Sequence, residues 1–260
     1  MLRKTNDLMG ARLGAQDGEI GHLRDLYFDD HTWMVRFLVA DTGNWLPVKK
    51  VLISPSVIKD LHYAAHRVIE VNLTKRQIEG SAPTDAHKPV SDKLESEYRR
   101  YCGWPDYWGG PLSWGPVVVS VPDPQVLPRE STPAEPPTER EDSHLQSALQ
   151  VSGYSIQALD QHFGHIEQFI VDDADWAIRY LVADLRNWLP GKRVLLSPLW
   201  ISSVSWLESR VYIDFDRASV KRSPEYDPAL PISRQYETKL FEHYNQKPYW
   251  NRNLEITVTG

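Results

Sequence analysis

Residues 21–58 and 164–201 align without a gap at an offset of 143, with 20 of 38 positions identical. Gly21-His22 recurs as Gly164-His165, and Asp29-Asp30-x-x-Trp33 as Asp172-Asp173-x-x-Trp176. Leu38-Val39-Ala40-Asp41 recurs as Leu181-Val182-Ala183-Asp184, and Asn44-Trp45-Leu46-Pro47 as Asn187-Trp188-Leu189-Pro190. Upstream, Gly10 and Leu13 meet Gly153 and Ile156. Downstream the offset becomes 142, and Ile69, Val71 and Leu73 meet Val211, Ile213 and Phe215, with Tyr107-Trp108 meeting Tyr249-Trp250. The chain therefore reads as a duplicated domain, with units over 8–110 and 151–252. Each unit, at about 100 residues, is large enough for its own core and too long for a solenoid repeat.

Between the units, residues 111–150 read as a linker. Eight prolines fall between Pro111 and Pro137, and the span holds two arginines against six acidic residues. Proline stiffens such a segment and acidic residues solvate it. It also accounts for most of the net charge of −6, leaving no basic stripe for a phosphate backbone. Direct nucleic-acid binding is therefore not expected. One cysteine, Cys102, excludes an intrachain disulfide and a thiolate zinc site. No apolar run approaches the roughly 20 residues of a membrane-spanning helix. Residues Met1–Asp7 lack the apolar core of a signal peptide. These features predict a soluble, cytoplasmic protein.

Within each unit the patterning predicts short strands. Ile20–Phe28, Trp33–Ala40, Trp45–Ile53, Val57–Tyr63 and Arg67–Leu73 are separated by Asp, Gly, Asn and Pro turn signals. Ile69, Val71 and Leu73 alternate with polar residues, which predicts one buried and one wet face. Thr74-x-x-Gln77 has the form of a capping box. A closing helix follows, capped by Ser91 or Ser233, with an apolar stripe at Leu94, Tyr98 and Tyr101 or at Tyr236, Leu240 and Tyr244. The expected fold is mainly β, with two small closed or partly open barrels in tandem, each followed by a helix and an aromatic tail.

The run Gly-His…Asp-Asp-x-x-Trp-x-x-Arg…Leu-Val-Ala-Asp…Asn-Trp-Leu-Pro-x-Lys…Val-Leu…Ser-Pro, present twice, resembles the PRC-barrel family over about residues 10–80 and 153–225. That family includes the cytoplasmic part of the photosynthetic reaction-centre H subunit and the C-terminal domain of a ribosome-maturation factor. The resemblance implies interaction modules docked to larger assemblies.

Candidate chemistry is sparse. His22 and His165 lie near Asp29-Asp30 and Asp172-Asp173, but no third ligand accompanies them, so no metal or cofactor is expected. Asp41 and Asp184 end a strand at a turn, which favours Asx-type bonding over proton relay. Lys49-Lys50 and Lys192-Arg193 are basic pairs suited to a solvated strand edge or an anionic contact. Trp104, Tyr107, Trp108, Tyr249 and Trp250 follow the closing helices and either fold back or anchor a partner. No nucleophile elbow, phosphate loop or dinucleotide fingerprint occurs.

The expected function is non-enzymatic: an adaptor binding a protein assembly, compatible with peripheral membrane association. The two units would pack as an intramolecular pseudo-dimer, with further homo-oligomerisation open. Two other classes stand beside it. One is a small-molecule or enzymatic site between the barrels, drawing on His22, Asp41, His165 and Asp184. The other is association with ribosomes or RNA processing.

Overall fold

A computed structural model describes residues 1–43, 50–62, 67–79, 144–185 and 191–251. The fold is mainly β. The first repeat contributes strands β1 (Leu2–Lys4), β2 (Arg12–Ala15), β3 (Gly18–Asp29), β4 (Val35–Asp41), β5 (Lys50–Ile53), β6 (Ile58–His62) and β7 (Val68–Val71). It also holds the short helices α1 (Thr5–Leu8) and α2 (Lys75–Glu79). The second contributes β8 (Leu145–Ser147), α3 (Ala148–Val151), β9 (Ser155–Gln157), β10 (His162–Asp172), β11 (Ile178–Asp184), β12 (Arg193–Leu196), β13 (Ile201–Ser205), β14 (Arg210–Ile213), α4 (Arg217–Arg222) and α5 (Arg234–His243).

Two seven-stranded sheets result, ordered β5-β4-β3-β2-β7-β6 and β12-β11-β10-β9-β14-β13. Each is antiparallel apart from one parallel pair, β2 with β7 and β9 with β14. Where closed or partly open barrels were expected, the hydrogen-bonded path of each sheet is open, running between two different end strands. The long strands β3 and β10 carry register shifts, the irregularity that lets a strand bend.

The seventh strand of each sheet comes from the other repeat. β1 pairs antiparallel with β10, placing Leu2 opposite Asp172. β8 pairs with β3, placing Leu145 opposite Asp29. Both registers are related by the offset of 143, so each repeat lends its leading strand to its sister. Residues 145–150, which the sequence pattern places in the linker, thus belong to a strand and a helical turn. The turns after β3 and β10 also touch: Val35 N donates to Trp176 O at 2.8 Å, and Ile178 N to Trp33 O at 2.8 Å. The apolar interior is continuous, with the Phe28 and Phe169 rings 5.7 Å apart.

β4 is buried on both faces. Val35 to Ala40 are all buried, Arg36 among them, as are Ile178 to Asp184 in β11. In the second repeat α5 covers the outer face, and the Tyr180 and Phe241 rings lie 6.4 Å apart. Helix boundaries follow local chemistry. Thr74 N donates to Gln77 Oε1 (2.8 Å) while Gln77 N donates to Thr74 Oγ1 (3.3 Å), the reciprocal capping box. Ser233 Oγ accepts from Tyr236 N at 3.2 Å and starts α5. The apolar stripe of α5 is wider than read: Leu240, Phe241 and Tyr244 are buried, and so is Glu237. The first closing helix, Cys102 and linker residues 111–143 lie outside the described residues, as do Trp45 and Trp188.

Candidate functional site

The repeated Asp-Asp-x-x-Trp segment builds the contact between repeats. Asp29 Oδ1 accepts from His31 N (3.0 Å) and Thr32 N (2.7 Å), and its Oδ2 takes Arg36 Nη2 at 2.6 Å. Burial alone would raise the Asp29 pKa, but the Arg36 and Thr32 donors outweigh it and hold the carboxyl below its usual range. The chain then turns through a left-handed Trp33 (φ 55°), whose ring stacks on Phe28 at 5.1 Å. Trp176 has the same conformation (φ 60°) behind Asp172. Core packing therefore accounts for both repeated tryptophans.

Each of these turns faces the other repeat across a cleft. One cleft, of about 370 Å³, lies between Asp30, His31 and Trp33 on one wall and Pro198 with Ile201–Val204 on the other. The second, of about 400 Å³, lies between Asp173–Trp176 and Pro55 with Ile58–Leu61. The two are built from equivalent positions. In each, a strand that ends its sheet among the described residues, β13 or β6, forms one wall.

Their charged ends differ. Asp173 meets the Met1 amine and Arg3 Nε, the latter at 2.5 Å. Asp30, its counterpart, faces two imidazoles instead. Asp30 Oδ1 lies 3.8 Å from His31 Nε2 and 3.5 Å from His144 Nδ1, and Gln146 Nε2 donates to Oδ2 at 3.4 Å. Burial pushes the Asp30 carboxyl up, with the two imidazoles opposing. Neither His31 nor His144 stands out in the sequence. They are 113 positions apart, and only the exchanged strand β8 brings them together.

The residues singled out in the sequence are placed as follows. His22 stands opposite Asp41, and His165 opposite Asp184, on adjacent strands. None of the four lines either cleft. Asp41 Oδ1 accepts from Gly43 N at 3.0 Å, and Arg24 Nε reaches Oδ2 at 3.2 Å. The Gly43 N–H and Arg24 together lower its pKa, as an Asx-type turn requires. Asp184 is fully buried. Lys50 stands opposite Asp41 in β5. Lys192 Nζ donates to the carbonyls of Lys221 (2.6 Å) and Ser223 (3.0 Å), closing the C-terminus of α4. Arg193 forks Glu167 at 2.5 and 3.2 Å. Both cations are thereby engaged within the second repeat.

The second aromatic tail folds back. Tyr249 Oη donates to Glu237 Oε1 at 3.0 Å, and Trp250 packs against Phe241 with centroids 5.4 Å apart. Arg179 lies over the Tyr249 ring and Arg234 over Trp250, at 4.3 and 3.9 Å. Burial and the nearby carboxylate push the Tyr249 phenol up to about 12. Lys49, Trp104, Tyr107 and Trp108 lie outside the described residues. Among the described residues, no helix is long and apolar enough to cross a membrane. Comparison with protein-family models and with curated proteins finds no match to this sequence.

Proposed function

We propose that this chain is a non-enzymatic interaction module of PRC-barrel type, its two repeats joined as an intramolecular pseudo-dimer that docks a protein assembly. The observation that supports it is the duplication of one cleft along an edge strand. An edge strand offers unpaired backbone donors and acceptors, and an extended segment of a partner can add to it as a further strand. Ser202 and Ser203 in β13, and Lys59 and Asp60 in β6, are exposed there. Their polarity suits a solvated edge. The carboxylates Asp29, Asp41 and Asp173 are each committed to turns or to fixed cations, which favours recognition over acid–base chemistry.

Position-specific photo-crosslinking in cells tests this reading. A crosslinker at Ser203 or at Lys59 is expected to capture one discrete protein. The same crosslinker at Glu242, exposed on α5 outside both clefts, is expected to capture none. Equal capture from all three positions, or none from the clefts, would overturn the reading. Sedimentation of the adduct with membranes or with ribosomal particles would identify the class of assembly.

A further inference from the structure

The geometry points to a divalent transition-metal site of the zinc class, formed by Asp30 Oδ1, His31 Nε2 and His144 Nδ1 where the leading strand of the second repeat meets the first. It is independent of the interaction reading. Three observations carry it.

The first is spacing. In a tetrahedral site with bonds of about 2.0–2.2 Å, neighbouring donor atoms lie roughly 3.3–3.6 Å apart. The two carboxylate–imidazole separations are 3.5 and 3.8 Å, and all three donor atoms lie within 4.8 Å of one another. The two carboxylate–imidazole pairs stand within a few tenths of an ångström of that spacing, and rotation of the exposed imidazoles brings the third pair to it.

The second is an unmet acceptor. Asp30 Oδ1 is buried and takes no hydrogen bond among the described residues. A buried carboxylate oxygen in that state is costly. The neighbouring imidazole nitrogens stand too far away for hydrogen bonding, at a distance that suits a shared ion.

The third is the contrast with the sister cleft. At the offset of 143, Asp173 keeps the carboxylate, Ala174 replaces His31, and Met1 replaces His144. There the carboxylate is neutralised by Arg3 and the terminal amine. An arginine can only donate, whereas an imidazole offers a lone pair. The first cleft has thus exchanged fixed cations for ligands. Two imidazoles with one carboxylate suit Zn²⁺, Co²⁺ and Ni²⁺. Three protein ligands leave a fourth position, and Asp30 and His31 also line the 370 Å³ cleft. The ion would also tie residue 144, whose carbonyl accepts from Asp30 N at 2.9 Å, to the turn of the first repeat.

The test is calorimetric titration of the full, tag-free, chelator-treated chain with Zn²⁺, and with Co²⁺ followed by visible absorption. One saturable site is expected, with a tetrahedral-type Co²⁺ spectrum and a raised Tm on Zn²⁺ addition. His31→Ala, which installs the residue found at position 174, and His144→Ala are each expected to weaken binding at least about 10-fold, the lower bound for residues that merely support ligands. Both side chains are well exposed, so the variants keep the fold, which circular dichroism checks. His162→Ala, an exposed histidine elsewhere in β10, should change nothing. Absence of saturable binding, or binding unaltered in both site variants, would overturn the assignment.

Discussion

Replacing Gly21 by alanine is expected to destabilise the protein by about 3–5 kcal/mol, combining a backbone conformation reserved for glycine with steric overlap. Gly21 sits at φ +147°, and a Cβ there would lie 1.9 Å from Asp41 O and 2.8 Å from Asp41 C. The obstacle is backbone in the neighbouring strand, so no rotamer change relieves it. Gly164 repeats the arrangement, with a Cβ 2.2 Å from Asp184 O. Close approach of two strands thus explains why glycine precedes histidine in both repeats. Gly10→Ala is the control: φ is +75° but nothing lies within 4 Å, so only the left-handed backbone cost of about 1–2 kcal/mol applies. Denaturant unfolding of the two variants checks the difference. Equal losses would show that the steric term is absent.

That glycine marks the limit of what the sequence makes legible. Gly21-His22 is visible as a repeated pair, yet the reason lies in Asp41, twenty residues away, and in how β3 and β4 cross. The strands Ile20–Phe28, Trp33–Ala40, Val57–Tyr63 and Arg67–Leu73 are found with small boundary shifts, and the described part of Trp45–Ile53 is a strand, because alternation and turn signals act locally. Thr74-x-x-Gln77 and Ser233 cap their helices for the same reason. β1 and β8 were illegible: three residues each, without alternation, and stabilised only by pairing with the sister repeat. Their exchange also hid the cleft, since His144 reaches Asp30 through a strand that the sequence pattern leaves in the linker. Glu237 could have been noticed as a charge beside the apolar stripe of α5. Nothing local distinguishes it from a solvated glutamate paired with Arg234, because its two phenol partners come from β11 and the tail.

Glu237→Ala should cost about 3 kcal/mol, the scale of removing the acceptor from a buried polar network. Glu237 is 2% exposed, and its Oε1 accepts from Tyr180 Oη at 2.8 Å and Tyr249 Oη at 3.0 Å. Its Oε2 pairs with Arg234 at 3.1 Å. Truncation strands the phenol of Tyr180, a residue with no exposed surface, in an apolar interior. Arg234 is 57% exposed and is readily solvated, so its loss of partner adds little. The tail loses its anchor at the same moment, so Trp250 fluorescence should shift towards that of a hydrated indole before global unfolding. Tyr180→Phe removes the donor that would be stranded, and it installs the residue that the first repeat carries at position 37. In the double variant the damage should therefore be less than the sum of the two single losses, with a coupling of at least about 1 kcal/mol. Strict additivity would mean that Glu237 and Tyr180 act separately. In that case the carboxylate would serve only to hold Tyr249 and Arg234, and the tail, not the sheet, would be its partner.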